Sequence, residues 1–167
     1  MTTLYVIGKS QSLENALSNL EGVSIQYLHI NESKMYSENI AKFFDIVSNR
    51  NERDIGIIGI GLGGFYATRL AERLGIRSVL IDTVVDAYRE VEWDDERIGE
   101  SYYPALITTV TLKPLIIQTY KNPSVERFYA TDAKYFDGDF QRLAKTIVEF
   151  TRSKFTFNEL FYNAVSK

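Results

Sequence analysis

The chain has no cysteine, one histidine and three prolines in 167 residues. Without thiols, disulfide frameworks, thiolate nucleophiles and cysteine-ligated zinc or iron centres are excluded. That absence agrees with a reducing compartment. Charge of one sign is also scarce: the formal net charge is -3, and acids and bases interleave along the chain. No stretch gathers the Lys/Arg density that phosphate-backbone binding needs, so direct nucleic-acid binding is not expected. Long apolar runs are missing too. The opening "MTTLYVIGKSQS" has no charged leader and too short an apolar run for a signal peptide or a membrane span. A soluble cytoplasmic protein without cofactor or metal is the expectation.

What is present is an ordinary globular composition, 45% apolar, long enough for one domain with a real core. Residues 4–7 read as a short buried strand ended by Gly8, and Val23, Ile25 and Tyr27 alternate with polar neighbours as a second. Between them Leu13, Ala16, Leu17 and Leu20 follow helical spacing, with Ser12 as a cap and Gly22 as a stop. Ile40, Phe43, Phe44 and Val47 mark the next helix. Strands follow at 55–60, 78–81 and 115–117, with a final one expected at 127–130. Helices are expected after 62, over 140–148 and over 157–164, whereas 83–113 carries no readable period. Alternating strands and helices define a three-layer α/β fold, a mostly parallel sheet with helices on both faces. The whole of 1–167 is expected to form one such domain, with an aromatic-rich extension at 152–167.

The most informative stretch is "DIGIIGIGLGGFYATRLAERLG", where an apolar run meets a glycine cluster and continues as a helix. Gly59, Gly61 and Gly64 satisfy G-x-G-x-x-G, which would let a pyrophosphate approach a helix N-terminus. Asp82, at the end of the next strand, then falls where a ribose-binding acid stands. This nucleotide-binding reading meets one objection. The fingerprint normally opens the first strand-helix unit of its fold, and here it lies in the third. The alternative frame is a nucleophile turn, small-x-nucleophile-x-small-Gly.

In that frame "GIGLGGFYATRLA" resembles the elbow of α/β-hydrolases, in particular the small YqiA/YcfP esterase-like family with its G-x-[S/G]-L-G-G-[YF]-[YW]-A turn. "LYVIGKS", "IRSVLID", "PLIIQTYKN" and "FQRLAKTIVEF" resemble further segments of that family, over roughly residues 3–150. The resemblance implies an α/β-hydrolase-like fold and places the three triad roles at Gly61, Asn122 and Ala133. None of these is a serine, acid or histidine, and His29 lies far upstream. Backbone N–H groups near Gly8 and Leu62 would keep an anion-friendly pocket. The resulting expectation is a catalytically inactive hydrolase-like protein, a pseudoenzyme that binds another macromolecule. The compact chain, rich in Phe, Tyr and Asn, is similar to small phage proteins that redirect host machinery. Host RNA polymerase is therefore one expected protein partner, and self-association another. The alternative is a small esterase or thioesterase with a relocated site, using Ser10, Ser12 or Ser101.

Other signals are weaker. Gly8-Lys9-Ser10 hints at a phosphate loop but lacks the earlier glycine, so a turn and helix cap is expected. Trp93, Tyr102, Tyr103, Phe157 and Phe161 are expected to offer aromatic area to a partner.

Overall fold

The computed structural model describes residues 1–49, 54–105 and 110–153. Six strands make one sheet: β1 (Thr2–Ile7), β2 (Val23–Tyr27), β3 (Asp54–Ile60), β4 (Ser78–Ile81), β5 (Leu115–Gln118) and β6 (Lys134–Tyr135). Their spatial order is β2-β1-β3-β4-β5-β6, and every pair is parallel. Parallel strands need covered faces, so the central ones read as continuous apolar runs rather than alternations. All six residues of β1 are buried.

Successive residues of these strands point to opposite faces. Leu4, Val6, Ile58, Val79 and Ile117 meet α1 (Gln11–Ser18) and α7 (Phe140–Arg152) on one side. Tyr5, Ile7, Ile57, Leu80 and Ile116 meet α2 (Tyr36–Ser48), α3 (Leu62–Leu74) and α6 (Pro123–Tyr129) on the other. From β1 the chain steps outward to β2 and then returns past β1 to β3. The direction of winding therefore reverses between β1 and β3, the position where open α/β sheets form their ligand crevice.

Two expectations are corrected. The final strand expected at 127–130 is the end of α6: Pro123 opens that helix and Ala130, at φ 50°, closes it. The sixth strand comes later, as the two exposed residues of β6. The unreadable segment holds α4 (Ala87–Glu90), α5 (Glu96–Glu100) and a 3-10 turn at Tyr103–Ala105. This segment packs through Ala87, Ile98 and Tyr102 against the α2/α3 side of the core. Among the described residues no helix is long and apolar enough to cross a membrane. Phe157, Phe161 and most of the aromatic extension lie outside the described residues.

Candidate active site at the carboxyl edge of the sheet

The turn between β3 and α3 is held at both ends. Gly61 has φ 59° and ψ -123°, a region open to glycine and costly for other residues. Its N–H donates to the Ile81 carbonyl at 3.0 Å, and its own carbonyl accepts from Val84 N at 3.0 Å. Ile81 ends β4 and Val84 lies in the loop after it, so the bend is tied directly to the neighbouring strand. Close packing fixes the rest. A Cβ on Gly63 would stand 1.8 Å from the Ile7 carbonyl oxygen, and one on Gly64 1.9 Å from Thr83 Oγ1. A Cβ on Gly61 would meet nothing within 4 Å among the described residues. The bend therefore displays position 61 into open space, as a nucleophile elbow displays its residue.

Across the reversal point, β1 ends at Gly8, whose φ of 118° turns the chain over Ile60. Ser10 then caps α1 by accepting from Leu13 N at 3.3 Å. The first N–H groups of α3, beginning at Leu62, have no partner inside the helix and carry the positive end of its dipole. The end of β1 packs directly against this turn, since a Cβ on Gly63 would strike the Ile7 carbonyl oxygen.

A carboxylate stands beside the elbow. Asp82 directly follows β4, between the residues whose backbones bond Gly61. It adopts φ 45°, one of two non-glycine residues at positive φ among those described. Its Oδ1 accepts from Thr119 N and its Oδ2 from Thr119 Oγ1, both at 2.8 Å. Two bonds from the residue after β5 thus fix the plane of the carboxyl group.

On the other side of the elbow a cleft of about 470 Å³ opens against Leu62. Trp93 and Ile98 line its apolar part, and Glu32, Glu92, Asp94 and Asp95 also face it. Trp93 is seated by stacking on Tyr102 at 4.6 Å between ring centroids.

The structure sorts the sequence candidates. Gly8 follows β1, and Gly61 and Leu62 form the turn after β3, so all three lie at the carboxyl ends of the two strands flanking the reversal point. Asn122 occupies the N-cap position of α6 without a side-chain capping bond, four residues past β5. Ala133 immediately precedes β6, so the carboxyl edge of that strand presents residues 136–139 instead. Trp93 borders the cleft. Tyr102 offers no area to a partner: it is 1% exposed, and its hydroxyl bonds that of Tyr66. Tyr103 is exposed and meets Tyr88 edge to face. Of the three candidate serines, Ser101 accepts from Tyr36 N and donates to the Ile98 carbonyl, a structural use. Ser12 lies on the exposed side of α1, and only Ser10 lies at the reversal point. His29 is exposed just past β2, its ring stacked on Tyr27. Pairing of Asp82 with Thr119 went unread, because it joins the ends of two strands that are far apart in sequence.

Strand order, helices on both faces and the strained turn after β3 define an α/β-hydrolase fold. The chain belongs to the uncharacterised protein family UPF0227, whose model matches residues 8–134. Solved structures with the same fold include one from the work on LipS and LipT, two metagenome-derived lipolytic enzymes. It is 12% identical, with 90% of this chain and 93% of that chain covered at a TM-score of 0.61. Est1E from Butyrivibrio proteoclasticus matches equally at TM-score 0.61 and 12% identity, with 96% of this chain and 88% of that one covered. No protein of curated function matches the chain in sequence.

These findings overturn the expectation of a catalytically inactive macromolecule binder and of a phage-type regulator. The solved structures that share the fold include one from work on lipolytic enzymes, and neither of these two is a regulator of host machinery. The resemblance points to Gly61, Asn122 and Ala133, whereas the folded edge also carries Asp82 clamped by Thr119. Gly59 and Gly64 are both held by close packing, Gly59 against Gly64 and Ala67 and Gly64 against Thr83.

Proposed function

We propose that the protein is a small ester or thioester hydrolase in which water, rather than a side chain, is the nucleophile. The observation that carries this reading is the bend at Gly61, open above the glycine and flanked by the clamped carboxylate of Asp82. A water over Gly61 attacks the carbonyl carbon while Asp82 accepts its proton as general base. The carbonyl oxygen becomes an oxyanion facing the N–H of Leu62 and the backbone after Gly8. Collapse of that intermediate breaks the bond to the alcohol or thiol, which leaves with the proton returned from Asp82. Thr119 is a positioning residue, acting through its two bonds to the carboxylate. The lipolytic relative of the same fold supports the reaction class.

The test is hydrolysis of nitrophenyl butyrate and a butyryl thioester by the purified chain. Turnover above buffer is expected, falling about 10²- to 10⁴-fold in Asp82→Asn, the usual contribution of a general base. A fluorophosphonate probe should leave the protein unlabelled. An adduct on Ser10 would move the nucleophile there, and absence of turnover would overturn the reading.

A further inference from the structure

The cleft beside the elbow is unusual in charge. Four carboxylates, Glu32, Glu92, Asp94 and Asp95, line it, and among the described residues no lysine or arginine does. Among the described residues only Asp95 of the four has a counter-ion, Arg97 Nη2 at 3.4 Å, and that guanidinium is 80% exposed. The apolar part of the same cleft is Trp93 with Val91 and Ile98, and Leu62 of the elbow lines it too. An indole beside several carboxylates is the composition that recognises an ammonium ion, through cation–π attraction and through charge.

We propose that this cleft selects the substrate: an ester or thioester carrying an ammonium group, held against Trp93 while its carbonyl lies over Gly61. The inference rests on the hydrolase reading, because Leu62 belongs to both the cleft and the elbow. A volume of about 470 Å³ admits a group of the size of a quaternary ammonium with its short linker. Substrates with a carboxylate or phosphate at that end are repelled by the same four acids.

Two readouts separate the inference from the reading beneath it. The first is catalytic. Butyrylcholine should be hydrolysed roughly tenfold more efficiently in kcat/KM than its neutral carbon isostere, dimethylbutyl butyrate, at low ionic strength. The advantage should shrink in high salt, which screens exposed charge within a few ångströms. The double variant Glu92→Lys and Asp94→Lys should abolish it. The second readout needs no turnover. Trp93 is the only tryptophan in the chain, so its fluorescence reports this cleft alone. Choline chloride should change that emission saturably, while dimethylbutanol and sodium acetate should not.

Preference for the neutral ester, or emission indifferent to choline, overturns the inference and leaves the hydrolase standing. A saturable response to choline with no ester turned over keeps the cation site and removes the reaction.

Discussion

Glycines in this molecule do different work at different positions, and substitution separates them. Alanine at Gly63 drives a methyl into the Ile7 carbonyl oxygen, backbone that cannot rotate away. Gly63→Ala is expected to cost about 3 kcal/mol or more, as overpacking against fixed atoms does. Alanine at Gly61 meets no atom within 4 Å among the described residues and suffers only its backbone angles. Gly61→Ala should therefore cost about 1–3 kcal/mol. Urea unfolding of the two variants checks the ranking, and a Gly61 variant less stable than the Gly63 one contradicts it. Much of this was readable beforehand: the turn and its glycines announced a bend between strand and helix. Which glycine was held by packing and which by its dihedral angles was not, since both look alike as letters.

At the level of elements, the segment from α4 to the 3-10 turn is bolted to the body by hydroxyl groups. Tyr102 bonds Tyr66, and Ser101 accepts from the first residue of α2. Asn39, 3% exposed, holds the loop before α2 through bonds to both N and O of Asn31. Tyr66→Phe should cost about 1–2 kcal/mol, because the Tyr102 hydroxyl is left buried without its partner. Trp93 stacks on Tyr102, so the variant should also shift tryptophan emission to the red. An unshifted spectrum would mean the indole is seated independently of that bond. This segment was opaque in the sequence for a physical reason. Its helices are four and five residues long, too short for a periodic stripe, and its core contacts are scattered aromatics. The same limit explains the misread strand. "RFYA" carries aromatic residues that suit a strand, but Pro123 four places earlier sets a helix start. The real β6 has two exposed residues and no apolar signal.

Over the whole molecule, buried phenols dominate the response to alkali. Burial pushes Tyr36, Tyr66, Tyr102 and Tyr129 above the ordinary tyrosine value of 10. Above pH 10 the unfolded chain releases protons that the folded one retains. Stability is thus complete below that pH and is lost as pH rises from 10 toward the raised values. Absorbance titration of the phenols should show these four ionising only together with unfolding. Their ionisation near pH 10 with the fold intact would contradict the burial. At this scale the sequence was most legible. Long apolar strands and amphipathic helices announced the parallel sheet and its two coverings, because burial on both faces leaves continuous apolar runs.

The covering of one face has a consequence during synthesis. Leu4, Val6 and Ile58 are shielded on one side by α1 together with Leu143, Ala144, Ile147 and Val148 of α7. Arg152 at the end of that helix reaches back to Thr2 Oγ1 at 2.7 Å. β1, made well before α7, therefore keeps part of one greasy flank bare until that helix emerges. A nascent chain stalled before that helix presents the surface that chaperones grip.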